Sequence, residues 1–500
     1  MTILVIYAVI FSGLIYYNGF FGIFNDSVIT KKQFTALFLM KLLAVPVFYI
    51  FYNKVYGGME KFDAGLFYHD AKAVNHFATT DFLEYLKMMF GLQDDSPGSY
   101  VYNNCLLQTE NWDNGRGKDF LYNDNRIVIR IHSALHFIAF DSYFSHALFS
   151  CFLSFTGIAF LYRSLKEFFI GKELPMLLLI CFLPALWFYT GALLKEGLTV
   201  FFLGCIIYQL KKVIGGRRSL VNLLWLAFLV FISLLLKAYL LFFSVICFAL
   251  FFTVWRSEKI KHKIIVFFSV LLFSALAVNL ASIAFKNKSL VSAAFERQRV
   301  FADAAKGGLF LLDSVKFVRL EYDSTLVERV KGRELFYTIK KNSPYIYWEH
   351  THQEDTLFCK ANTDTVTQFQ MIYYQPESGS NLNMAGSSNS GAAVVASGLY
   401  YSLFYPMFFN ARSALQLLAS AENLALLASL LICFAGFIMR KKNAFVPLVL
   451  LFFAISVCFL IGLTSPNSGA IFRYRSPAVI FILLAALYYL PVPGFLNRKN

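Results

Sequence analysis

Three short stretches carry residues that could do chemistry. Asp63 and Asp70 lie in GGMEKFDAGLFYHDAKAVNHF, Lys195 and Glu196 interrupt LPALWFYTGALLKEGLTVFFLG, and Arg473 and Arg475 open the apolar run in TSPNSGAIFRYRSPAVIF. A carboxylate near a membrane surface, beside aromatic rings, can have a raised pKa and act as a general base toward a hydroxyl. Asp63 shares one helical face with Phe67 and Ala71. Alternatively, one or both aspartates cap their helix or pair with Lys61 or Lys72 in water. An ammonium or a guanidinium can hold a phosphate, the guanidinium by paired hydrogen bonds, so Lys195, Arg473 and Arg475 are candidate phosphate contacts. Glu196 would orient Lys195. The alternatives are a tight turn whose Lys195-Glu196 charges sit in water, and arginines that snorkel to lipid headgroups. The TSPNSG bend offers backbone amides that favour an anion, which brings in Asn467 as a supporting residue together with Arg412.

The elements that position these residues are membrane helices. Of 500 residues 58% are hydrophobic and only 15% charged, which indicates a polytopic membrane protein. Apolar segments long enough for a bilayer core of about 30 Å recur along the whole chain. They predict eleven transmembrane helices, at 3–20, 34–53, 142–162, 175–192, 196–210, 219–236, 238–255, 263–285, 419–439, 445–464 and 475–493. The stretch IVIRIHSALHFIAF at 127–140 is expected to be an interfacial or half-buried helix. Basic short loops mark the cytoplasmic side. Lys31-Lys32, the loops from Arg163, Lys211, Arg256 and Arg440, and the tail at Arg498-Lys499 all fall on one face, with the N-terminus external and the C-terminus cytoplasmic. The first span has no basic n-region or small-residue cleavage site and is expected to stay as a permanent helix.

The chain divides accordingly into N-terminal transmembrane helices (1–53), a first external loop (54–141), a central bundle (142–285), a large external α+β loop (286–418) and C-terminal transmembrane helices (419–500). DFLEYLKMMF, from Asp81, is amphipathic and suits a helix lying on the membrane surface. The late loop is expected to be helical to about Lys341, most clearly in EYDSTLVERVKGRELFYTIKK. From Tyr345 a small antiparallel β-meander is expected, followed by a Gly/Ser/Asn-rich linker from Ser378. The stretch from Gly398 returns to the membrane as a re-entrant or interfacial helix.

The net charge of +15 shows no long basic run or zinc-finger spacing, so no nucleic acid is expected; membrane lipids account for the excess. Six of the eight cysteines lie in apolar spans as packing residues. Cys105 and Cys359, in the external segments, could form a disulfide. The only cofactor suggested is a divalent metal ion at His350 and His352, beside Glu349, Glu354 and Asp355; alternate residues on an exposed strand read rather as solvated polar positions.

The D-x-x-x-[FY]-x-x-x-A of Asp63, Phe67 and Ala71, the P-x-x-x-[FY]-x-x-G-x-x-x-K-E of Pro184 to Glu196, and the N-x-G-x-x-x-R-Y-R-x-P of Asn467 to Pro477 resemble features of bacterial envelope polysaccharide membrane proteins. That group is similar to the GT-C superfamily of lipid-dependent glycosyltransferases. The resemblance implies a helical membrane bundle in a bacterial inner membrane, a polyprenyl-phosphate-linked sugar donor, a glycan or lipid acceptor, Asp63 or Asp70 as external base, and Arg473, Arg475 and Lys195 on the phosphate. The bulky late external loop resembles Wzy-type O-antigen polymerases and O-antigen ligases instead, which take polyprenyl-pyrophosphate-linked glycans. A transporter or scaffold is the non-enzymatic alternative; against it, no internal repeat is evident and the charges gather at one face.

Overall fold

The computed structural model describes residues 2–17, 22–55, 57–95, 98–112, 124–258, 262–286, 382, 391–411, 414–439, 444–465 and 467–491, and seven strands between 309 and 373. The chain opens with α1 (Thr2–Tyr16), α2 (Lys31–Leu42) and α3 (Ala44–Val55). A first polar region follows: α4 (Asp63–Thr80), α5 (Phe82–Phe90), α6 (Tyr100–Asn104) and α7 (Asp124–Ala139). Next come α8 (Tyr143–Leu165), α9 (Glu173–Phe182), α10 (Pro184–Tyr189), α11 (Lys195–Ile214), α12 (Leu220–Leu236), α13 (Ala238–Arg256) and α14 (Lys263–Lys286). Beyond the strands lie α15 (Gly391–Leu403), α16 (Ala414–Met439), α17 (Phe445–Thr464) and α18 (Ser468–Tyr489).

Among the described residues seven helical stretches are long and apolar enough to cross a membrane: 31–55, 143–168, 195–214, 238–256, 416–439, 445–464 and 468–489. The remaining expected spans, at 3–20, 175–192, 219–236 and 263–285, fall on shorter apolar helices at 5–16, 173–182, 220–236 and 263–276.

Contacts sort the helix ends into two faces. At one, Arg163 and Lys166 hold Asp26, Lys211 pairs with Glu167 at 3.0 Å, and Lys172 donates to the last carbonyls of α18. The basic loops that start at Arg163, Lys211 and Arg256 therefore share one end. Gln209 near the end of α11 donates to the Asn222 carbonyl at the start of α12, and the Arg256 guanidinium lies beside Gly215. Thus α12 runs antiparallel to α11, and α13 returns parallel to it. The single residue Lys237 makes that reversal.

The helices α8 and α11 meet through small residues. A Cβ on Gly204 would stand 2.0 Å from the Gly157 carbonyl oxygen, so the backbones touch directly. Without a hydrophobic force between helices in lipid, such close packing supplies much of the association. Gly204→Leu is expected to destabilise the fold by at least about 1–3 kcal/mol, read as a fall in thermal stability in detergent. Gly13→Ala, where a Cβ meets nothing within 4 Å, is expected to be tolerated.

The seven strands form one antiparallel sheet of order β3-β4-β7-β1-β2-β5-β6: β1 (Leu309–Leu311), β2 (Lys316–Leu320), β3 (Val327–Arg329), β4 (Phe336–Ile339), β5 (Pro344–Glu349), β6 (Glu354–Phe358) and β7 (Gln368–Tyr373). This corrects two expectations. The supposedly helical EYDSTLVERVKGRELFYTIKK carries β3 and β4, because Gly332 interrupts it and Phe336 to Ile339 are strand formers that find a partner in β7. The strands after Tyr345 form no separate meander either, since β7 inserts between β4 and β1. His350, His352 and Cys359 lie outside the described residues.

Candidate functional site

At the end of the bundle opposite the basic loops, charged residues from five segments converge. Arg473 of α18 donates from Nη1 to Asp63 Oδ2 at 2.8 Å, and its Nε stands 3.4 Å from Glu196 Oε1. Lys237 donates to that same Glu196 oxygen at 2.9 Å. Lys195 pairs with Asp124 at the start of α7, at 2.6 Å, and its ammonium faces the Phe67 ring. Both Lys237 and Arg473 lie against the Tyr474 ring, 4.5 and 4.9 Å from its centroid.

Local sequence explains these positions. Asp63 is the first residue of α4, where a carboxylate complements the helix dipole. Lys195 and Glu196 begin α11 after the buried turn Thr190–Leu194. Pro477 sits inside α18 and cannot donate to the Arg473 carbonyl; the Ser476 hydroxyl does so instead, at 2.8 Å, which holds together the turn that aims Arg473. Asn467 caps the same helix by accepting from the Ala470 N–H at 3.1 Å.

Three cations, Lys195, Lys237 and Arg473, face three carboxylates, Asp63, Asp124 and Glu196. The charges balance one to one, as is required of ionisable groups in an apolar bundle, and Glu196 links two of the pairs. The Glu196 side chain is fully buried, whereas Asp63 keeps 45% of its side-chain surface open. Burial by the walls around Asp63 would push its carboxyl up, but Arg473, Lys195 and Lys237 outweigh that and hold it below the usual carboxylate range. It is therefore ionised at neutral pH. Along α18, Tyr488 at the opposite face lies about 22 Å from Arg473 at 1.5 Å per residue. The cluster thus stands most of the length of α18 away from the end that gathers the basic loops.

The structure brings Asp63, Lys195, Glu196 and Arg473 together but not the other predicted residues. Asp70 is buried and accepts from the backbone N–H groups of Glu110 and Asn111 at 2.9 and 2.7 Å, so both its oxygens anchor a loop. Burial raises its pKa to about 6 despite those bonds. Arg475, two residues from Arg473, points into the bundle. It donates to the Ser402 carbonyl and to Asn423 Oδ1, and lies 3.7 Å from buried Glu422. A helix turns 100° per residue, so residues two apart diverge. Glu196 does not orient Lys195, and the Lys195-Glu196 pair does not sit in water. Arg412 lies outside the described residues.

Lys237 and Asp124 were not among the expected site residues. Lys237 had a signal in the sequence: it is the lone charge between two apolar runs. Asp124 had none, because NDNR reads as any polar loop. Cys105 is buried and free. Among the described residues no group of three or more His, Cys, Asp or Glu side chains is placed to hold a metal ion. No family model matches the chain, and no curated protein or solved structure is found to be similar to it.

Proposed function

We propose that the protein transfers a sugar from a polyprenyl-phosphate-linked donor to an acceptor hydroxyl at the external face of a cell membrane, in envelope polysaccharide synthesis. The observation that carries this reading is the convergence of Asp63, Arg473, Glu196, Lys237 and Lys195 at one end of an apolar bundle. The end that gathers the basic loops is then cytoplasmic by charge bias. Counting the shorter apolar helices, eleven crossings put the N-terminus outside and the C-terminus inside.

In this reaction Asp63 takes the proton of the acceptor hydroxyl as its oxygen bonds to the anomeric carbon, with inversion. The bond from that carbon to the phosphate oxygen breaks, and its electron pair leaves with the lipid phosphate. Arg473 and Lys195 stabilise the charge that develops there. Arg475, locked in the bundle interior, takes no part.

A second reading is polymerisation or ligation from a polyprenyl-pyrophosphate-linked glycan. It is favoured by the existing Arg473–Asp63 pair, in which the carboxylate would serve only as counter-ion. Turnover of polyprenyl-phosphate and polyprenyl-pyrophosphate sugars in nanodiscs separates the two. Release of lipid phosphate that drops about 100- to 1000-fold in Arg473→Ala and requires Asp63 supports sugar transfer. Release of pyrophosphate that tolerates Asp63→Asn supports the polymerase or ligase. Absence of turnover by folded protein points to a transporter or scaffold.

A further inference from the structure

Glu196 carries two cations on one oxygen: Lys237 at 2.9 Å and the Arg473 Nε at 3.4 Å, while its other oxygen has no hydrogen-bond partner among the described residues. An arriving phosphate must compete with a carboxylate for Arg473, and the two carboxylates on Arg473 are unequal. Asp63 is half-open and holds Arg473 through a single nitrogen. Glu196 is enclosed and fixed at the start of α11.

Lys237 is only 4% exposed, so its ammonium does not reach a ligand on the open side of Asp63. Its effect passes through Glu196. Were Lys237 neutral, the whole Glu196 charge would fall on Arg473 in a low-dielectric setting, where an unshared ion pair is strongest. Arg473 would then be drawn toward α11 and away from the open side of Asp63.

Resting on the sugar-transfer reading above, we infer that Lys237 is a positioning residue. It occupies Glu196 so that Arg473 can exchange Asp63 for the phosphate of a polyprenyl lipid, and that exchange releases Asp63 for the acceptor hydroxyl. The single-residue reversal between α12 and α13 is what delivers an ammonium to this depth.

The test is binding of a polyprenyl monophosphate to the full chain in nanodiscs. Wild type is compared with Arg473→Ala, Lys237→Met, Lys237→Arg and the double variant Lys237→Met with Glu196→Gln. Lys237→Met is expected to weaken binding about tenfold or more, and Lys237→Arg to restore most of it. The double variant, which removes the competing carboxylate with its partner, is expected to recover wild-type affinity to within about threefold. It also carries no unpaired buried charge, so it reports even if Lys237→Met fails to fold. Wild-type affinity in Lys237→Met, or a double variant as weak as the single one, overturns the inference while leaving sugar transfer intact. A wild type that does not bind, or binds equally well as Arg473→Ala, overturns both.

Discussion

Asp63→Asn is expected to lower sugar transfer by about 100- to 10,000-fold while leaving polyprenyl phosphate binding at least as tight as in wild type. The substitution keeps the shape of the side chain and an oxygen that can still accept from Arg473 Nη1, at present 2.8 Å away. What it removes is a group able to take a proton. The facing cations keep Asp63 ionised well below neutral pH, so it is in the proton-accepting form before the donor arrives. Because this pKa is depressed in the folded protein, the ion pair contributes stability above the ordinary aspartate pKa and loses it as pH falls through the lower folded value. Asp70→Asn is the comparison: its two buried oxygens accept from backbone N–H groups, so an amide there is expected to lower thermal stability while folded protein keeps its transfer rate. A transfer rate equally sensitive to both substitutions would count against Asp63 as the base.

Arg475→Met alone is expected to destabilise the fold by about 3–5 kcal/mol, whereas pairing it with Glu422→Met recovers much of that loss. Arg475 bridges three elements: the Ser402 carbonyl at the end of α15, Asn423 on α16 and its own helix α18. Glu422 in turn accepts the N–H of Ala185, a free donor in the first turn of α10, at 2.9 Å. Both charged side chains are essentially unexposed, so truncating one strands the other in the interior. Thermal unfolding in detergent, followed for both single variants and the double, gives the coupling directly. If the double variant proves no more stable than Arg475→Met, the pair is not the source of the loss.

The opposite fates of Arg473 and Arg475 show how much the RYR motif could say. The chain declares two cations at the mouth of an apolar helix, and physics requires that each find a partner there. Whether that partner is a substrate or another helix depends on the rotation of α18 against α15, α16 and α4, which involves residues more than 50 positions away. The same holds for Asp63 and Asp70, seven residues apart on α4: one is half-open beside Arg473 and the other is spent on residues 110 and 111.

Determined by sequence alone were the apolar segments, the common end of the basic loops at Arg163, Lys211 and Arg256, and the identity of most charges that gather in the apolar bundle. These follow from local composition, because burying a charge or exposing backbone in lipid is prohibitive wherever it occurs. Tertiary structure decided which carboxylate meets which cation. Glu196 turned to Lys237 and Arg473 instead of its neighbour Lys195, and Lys195 to Asp124. It also decided that β7 would pair with β4 and β1, drawing a helix-like stretch into a sheet. Pairing of charges and strands is set by non-local geometry, and the energy of each pair falls so steeply with separation that no reading of neighbours along the chain can supply it.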